Sequence, residues 1–120
     1  MAKILIAEDD SSMRHFLKMA LSRAGHEIDA CADGLEALQA LEGQKPYDLL
    51  LADIVMPGMD GIELSQKAAA LRPALKVMFI TGFAAVAMAQ KSPVHVASHV
   101  LSKPFHLKDL VDQVDTLLAA

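Results

Sequence analysis

Three carboxylates, a hydroxyl and an amine each close a short, mostly apolar run in this 120-residue chain. Glu8 and Asp9 follow Ile4-Leu5-Ile6-Ala7, and Asp53 follows Leu49-Leu50-Leu51-Ala52. Thr81 follows Val77-Met78-Phe79-Ile80, and Lys103 follows the short segment from Ser98 to Ser102. Brought to one place, three carboxylates repel one another and need neutralising. Lys103 supplies one positive charge. A hard divalent cation with oxygen ligands supplies the rest, and Mg2+ suits one to three carboxylates completed by water. Such a constellation can stabilise a phosphoryl group. Asp53 is then the nucleophile, the cation and Lys103 neutralise phosphoryl oxygens, and the Thr81 hydroxyl donates a hydrogen bond. Any one of these residues alone reads equally well as a turn cap or a surface ion pair. Four strand ends carrying the right types together give the pattern its weight.

The elements that must position these groups are legible in the hydropathy. Apolar runs of four or five residues closed by a carboxylate or a turn read as strands buried on both faces. Met13, Phe16, Leu17, Ala20, Leu21 and Ala24 recur at helical spacing after a cap at Asp10 or Ser11, and Gly25 ends that helix. Glu27 to Ala32 is a weaker strand containing Ile28 and Cys31. Asp33-Gly34-Leu35-Glu36 fits a capping box opening a short helix with Leu35, Leu38 and Leu41. Asp60-Gly61-Ile62-Glu63 repeats the pattern and opens a helix to Leu71, stopped before Pro73. Phe83 to Gln90 is alanine-rich and apolar all round, so it buries itself or offers a surface to a partner. The last helix, from about His106 to Leu118, places Leu107, Leu110, Val111, Val114, Leu117 and Leu118 on one face. The order is (βα) five times. It predicts an α/β doubly wound, five-stranded parallel sheet filling residues 1–120 as one domain, with ligands held at the carboxyl ends of the strands.

Composition narrows the function classes. The chain is 53% apolar and 22% charged, as globular proteins are, and its net charge of −4 disfavours nucleic acid as the main partner. The single Cys31 suits a reducing compartment and a small core position. The apolar stretch after Met1 is too short for a secretory signal, and no run approaches a membrane span. A cytoplasmic monomer without membrane contact is expected. Of the histidines at 15, 26, 95, 99 and 106, only His95 and His99 form a helical pair, which offers too few ligands for a metal site. Met56 and Met59 flank the Pro57-Gly58 turn and are candidates for exposed partner contacts.

The sequence resembles the receiver domain of two-component response regulators, the flavodoxin-like fold of the chemotaxis protein CheY. The matching motifs are Glu8-Asp9, the run from Asp53 to Gly61 with Pro57, Thr81-Gly82, and Lys103-Pro104-Phe105. The resemblance implies Mg2+ bound by Glu8, Asp9, Asp53 and the Val55 carbonyl. It implies phosphotransfer from a histidine kinase or histidine phosphotransfer protein onto Asp53, and a cis peptide before Pro104. Receivers commonly carry Tyr or Phe three residues before the lysine; here Val100 stands there, so His99 or Phe83 would have to take its part. In receivers, the side chains two positions after the aspartate and two after the threonine border the path of attacking water. These are Val55 and Phe83, both apolar, which predicts slow self-dephosphorylation.

Ile4 to Asp10, Thr81 to Ala84 and Leu101 to Leu107 are similar to single-domain regulators of the CpdR type. That likeness implies an adaptor controlling substrate delivery to the ClpXP protease during the cell cycle. With no output domain in the sequence, a protein-binding phosphorylation switch is expected rather than an enzyme. A relay passing phosphate from Asp53 to another histidine is an alternative. A phosphohydrolase resembling the haloacid dehalogenases is disfavoured, because it wants Asp-x-Asp and Val55 stands in the second place.

Overall fold

The computed structural model describes residues 2–81 and 100–119, with the Ser102 side chain left aside. Five strands form one parallel sheet: β1 (Lys3–Ala7), β2 (Glu27–Cys31), β3 (Leu49–Asp53), β4 (Lys76–Thr81) and β5 (Val100–Ser102), in the order β2-β1-β3-β4-β5. Four helices accompany them among the described residues: α1 (Ser11–Arg23), α2 (Gly34–Glu42), α3 (Gly61–Leu71) and α4 (Leu107–Ala119). The readings of Phe83 to Gln90, His95 and His99 lie outside the described residues.

β3 sits at the centre and is buried along its whole length. Successive side chains of a strand point to opposite faces of the sheet, and the core divides accordingly. Ile4, Ile6, Leu49, Leu51 and Ile80 pack with Leu17 and Leu21 of α1 and Leu110 and Val114 of α4. Leu5, Ala7, Leu50 and Ala52 pack on the other side with Ala37 and Leu41 of α2 and Leu64 and Ala68 of α3. The expected doubly wound architecture is therefore present, with helices on both faces.

Aspartates start the first three helices. Asp10 Oδ1 accepts from the Ser12 and Met13 amides, Asp33 Oδ1 from Glu36, and Asp60 Oδ1 from Glu63. Each bond satisfies an amide that the first helical turn leaves free. α1 closes in a Schellman turn: Gly25, at φ 98°, donates to the Ser22 carbonyl, and His26 donates to that of Leu21. Arg72, at the end of α3, donates to the carbonyls of Leu41, Gly43 and Lys45. Its guanidinium lies 5.5 Å from the Tyr47 ring centroid, which ties the end of α2 to the approach to β3.

Three expectations about side chains are corrected, at Leu107, Met56 and Met59. On α2, Leu35 is 56% exposed while Ala37 and Leu41 lie inward. A Cβ on Gly34 would come within 2.6 Å of the Met59 carbonyl oxygen, so the start of α2 lies directly on the β3–α3 loop and fixes the rotation of the helix. Leu107, the first residue of α4, is exposed, and the inward stripe begins at Leu110. Met56 and Met59 are buried rather than exposed: the loop folds back over α2 and α3 and takes both side chains into the core.

Candidate functional site

The site stands at the carboxyl ends of β1, β3, β4 and β5. Glu8 and Asp9 lie in the turn from β1 to α1. Glu8 is fully buried and Asp9 exposed. The Glu8 amide extends the β1–β2 ladder by donating to the Cys31 carbonyl at 3.1 Å. Asp53 is the last residue of β3 and is buried. Beyond it the chain turns sharply: the Ile54 amide still pairs with the Ile80 carbonyl, Gly58 adopts φ 80°, and the Gly61 amide donates to the Ile54 carbonyl. A side chain at Gly61 would collide with the Asp53 carbonyl oxygen, so the loop closes on β3 only with glycine there.

Lys103 Nζ donates to Glu8 Oε1 and to Asp53 Oδ2, each at 2.9 Å. The other oxygens of both carboxylates are also engaged. Glu8 Oε2 accepts from the Asp10 amide at 3.1 Å, and Asp53 Oδ1 accepts from the Val55 amide at 3.1 Å. Burial pushes the Glu8 carboxyl up to about 7, against the opposing pull of the Lys103 and Asp10 hydrogen bonds. Burial works against the charged form of Lys103, yet its bonds to Glu8 and Asp53 hold its pKa above the ordinary lysine value.

One carboxylate oxygen from each of Glu8, Asp9 and Asp53 lies within 4.8 Å of the others. Among the described residues, Lys103 bonds two of these carboxylates, Glu8 and Asp53, and Asp9 lies beside them without a bond to it. A hard cation with oxygen ligands and several retained waters matches that donor set and its excess negative charge. The Thr81 hydroxyl, at the end of β4, is completely buried and has no hydrogen-bond partner among the described residues. A buried, unpaired hydroxyl is a group that calls for an explanation such as a missing ligand. The Lys103 amide donates to the Thr81 carbonyl at 2.6 Å, so these two residues are locked side by side. The Lys103–Pro104 peptide is cis, as the resemblance implied.

The predicted residues Glu8, Asp9, Asp53 and Lys103 are thus together, and Thr81 adjoins Lys103. Val55 shares the site through its amide, while its side chain is 59% exposed. Val100, on β5, packs against Ile54 and Phe79. The sequence reading missed Arg14. Its Nη1 donates to the Glu8 carbonyl at 2.9 Å. The available signal was its place one helical turn beyond the Asp10 cap, on the part of α1 nearest the acidic turn.

Comparison with known proteins agrees with this geometry. The family described as the response regulator receiver domain matches residues 4–115. The response regulator receiver protein CpdR of Brucella abortus is 51% identical over 120 residues, covering 100% of this chain and 99% of that protein. The sensor kinase CckA of the same organism is 34% identical over 98% of this chain, which spans only 12% of the kinase. The response regulator TrrA of Thermotoga maritima, solved in complex with Mg2+-BeF, superimposes with a TM-score of 0.85 at 30% identity. The match covers 98% of this chain and 99% of that one. The chain belongs to the receiver-domain family of two-component response regulators, with a CheY-like fold.

Proposed function

We propose that this receiver accepts a phosphoryl group on Asp53 from a histidine kinase or histidine phosphotransfer protein and works as a protein-binding switch. The observation that carries the reading is Asp53 itself. It is a buried carboxylate at the end of the central strand, bonded to Lys103 and clustered with Glu8 and Asp9. An Asp53 carboxylate oxygen attacks the phosphorus of a phosphohistidine. The P–N bond breaks as the O–P bond forms, and the released imidazole nitrogen takes up a proton. Lys103 moves from pairing with Asp53 to pairing with a phosphoryl oxygen, and the Thr81 hydroxyl donates to another. Mg2+, held by Glu8, Asp9, Asp53 and the Val55 carbonyl, would neutralise charge on the transferring group.

The likeness to CpdR supports a finer reading, in which the output partner is the ClpXP protease and the protein is an adaptor for it in the cell cycle. It also supports residues 1–120 acting as a single receiver domain that assists only its own phosphorylation and dephosphorylation. Work in the cytoplasm belongs to the same proposal; among the described residues no helix is long and apolar enough to cross a membrane. The test is phosphorylation by acetyl phosphate with Mg2+. Wild type should gain one base-labile phosphoryl group per chain, read as a mass increment, and Asp53→Asn none. Equal labelling of both proteins would move the nucleophile elsewhere. Capture of ClpX by one phosphorylation state and not the other tests the adaptor reading separately.

A further inference from the structure

The acidic turn of the site is tied into α1 by a closed circuit of bonds. Glu8 Oε2 accepts from the Asp10 amide, and Asp10 Oδ1 caps α1 through the Ser12 and Met13 amides. The Arg14 amide donates to the Asp10 carbonyl at 2.8 Å within the first turn of that helix. The Arg14 guanidinium then returns to the Glu8 carbonyl. This carbonyl belongs to the peptide between Glu8 and Asp9. It therefore joins the two residues whose carboxylates belong to the site, one buried against Lys103 and the other exposed. The sheet does not hold this oxygen: β1 ends at Ala7, and the β1–β2 pairing closes with the Glu8 amide on Cys31. Arg14 is half-buried, as its place over the turn requires.

We infer that Arg14 is a positioning residue for the cation: by holding the Glu8–Asp9 peptide it aims both carboxylates at the site. The inference rests on the reading of Glu8, Asp9 and Asp53 as the Mg2+ site. It runs against plain electrostatics. A guanidinium close to a cation site repels the cation, so if charge were its whole effect its removal would tighten Mg2+ binding. As a positioning residue, its removal must weaken binding, as loss of a group that orients metal ligands does. The two accounts predict opposite signs.

The experiment is Mg2+ titration, by calorimetry and amide NMR, of wild type, Arg14→Met, Arg14→Lys and Asp53→Asn. Melting temperatures in EDTA are measured alongside. Arg14→Met keeps the stem and loses the donors; it should bind Mg2+ about tenfold more weakly. Arg14→Lys keeps one donor group and the charge, and should recover part of the loss. The Asp9 and Asp10 amide resonances should move in Arg14→Met even in EDTA. Unchanged or tighter binding by a folded Arg14→Met protein overturns the inference while leaving the cation site standing. Absence of Mg2+ binding in wild type, or undiminished binding by Asp53→Asn, would overturn the site reading and this inference with it. Should Arg14→Met melt much lower than wild type, Arg14→Lys decides: a folded Arg14→Lys protein that binds Mg2+ more weakly than wild type at unchanged charge supports the inference, and one that binds it as tightly or tighter overturns it.

Discussion

At the scale of single residues, the site separates groups that can act on a phosphoryl unit from a neighbour that can do nothing to water. Asp53, Lys103 and Thr81 are buried or bonded to one another through their side chains or backbones. Val55, two residues after Asp53, turns an apolar side chain to solvent at the mouth of the site. General base catalysis needs a group that can hold and orient a water within hydrogen-bond reach, and valine has none. An acyl phosphate on Asp53 should therefore decay slowly, so that removal depends on a phosphatase or on return to the donor. Val55→Gln supplies an amide at the same exposed position. It should speed the loss of phosphate, followed by mass after the phosphodonor is removed, by about ten- to a hundredfold if it orients water as catalytic groups do. An unchanged decay rate would place control of the lifetime elsewhere. Cys31 has no part in this chemistry. Burial pushes its thiol up to about 12, and it serves as core on the α2 and α3 side of the sheet.

At the scale of elements, the edge strand β2 is anchored by polar bonds as well as by apolar burial. Asp29 on β2 accepts from the Tyr47 hydroxyl at 2.6 Å and from Lys45 at 3.1 Å, with Lys3 of β1 at 3.5 Å. The Tyr47 hydrogen bond does most to lower the Asp29 pKa below its ordinary value; Lys45 and Lys3 add to it, and burial works against it. The sign follows. A carboxyl whose folded pKa is depressed contributes stability above the unfolded value, about 3.9 for Asp, and that contribution is lost as pH falls through the folded value. Asp29→Asn should melt below wild type at neutral pH. The gap should hold down to about pH 4 and narrow below it, because wild type loses the charge that the variant never had. Melting curves from pH 7 to pH 3 check this, and a gap that stays constant to the acid end would show that the bonds to Asp29 are not charge-dependent. The element scale is also where sequence reading was strongest. Runs such as Leu49-Leu50-Leu51-Ala52, closed by a carboxylate and a turn, read as strands covered on both sides, and Asp10, Asp33 and Asp60 announce the helices they cap. That reading stops short where rotation is decided by a contact distant in sequence. Hydropathy alone does not set Leu35 outward and Ala37 inward; the meeting of Gly34 with Met59 sets that rotation. Met56 and Met59 looked like loop residues because no local pattern shows that the loop folds back over the core.

At the scale of the whole molecule, scaffold and site occupy different ends of the same strands. The candidate site was legible because its chemistry sits at the ends of apolar runs, where a parallel sheet collects it. Arg14 was not, because an arginine on the first turn of a helix reads as a solvated charge until the fold supplies the carbonyl it holds. The strand order β2-β1-β3-β4-β5 was likewise not written in any local pattern, although it is what brings Glu8 and Asp53 side by side. This division predicts that stability and cation affinity can be changed independently. Leu49 begins β3, fully buried among the α1 and α4 contacts, in register with Ile4 and Lys76. At about 3.3 Å per residue it lies roughly 13 Å along the strand from Asp53. Leu49→Ala removes apolar contacts and leaves a cavity, at a cost of about 2–5 kcal/mol. The site carboxylates are held by different bonds: Lys103 to Glu8 and Asp53, the Val55 amide to Asp53, and the Asp10 amide to Glu8. None of these passes through Leu49. Urea unfolding of Leu49→Ala should show a lower midpoint with an unchanged slope, and Mg2+ titration of the folded protein should return the wild-type affinity. A Mg2+ affinity that falls along with stability would mean that packing at the far end of β3 sets the geometry of the acidic turn, and that the sheet works as one strained unit rather than as a scaffold with a site set on its edge.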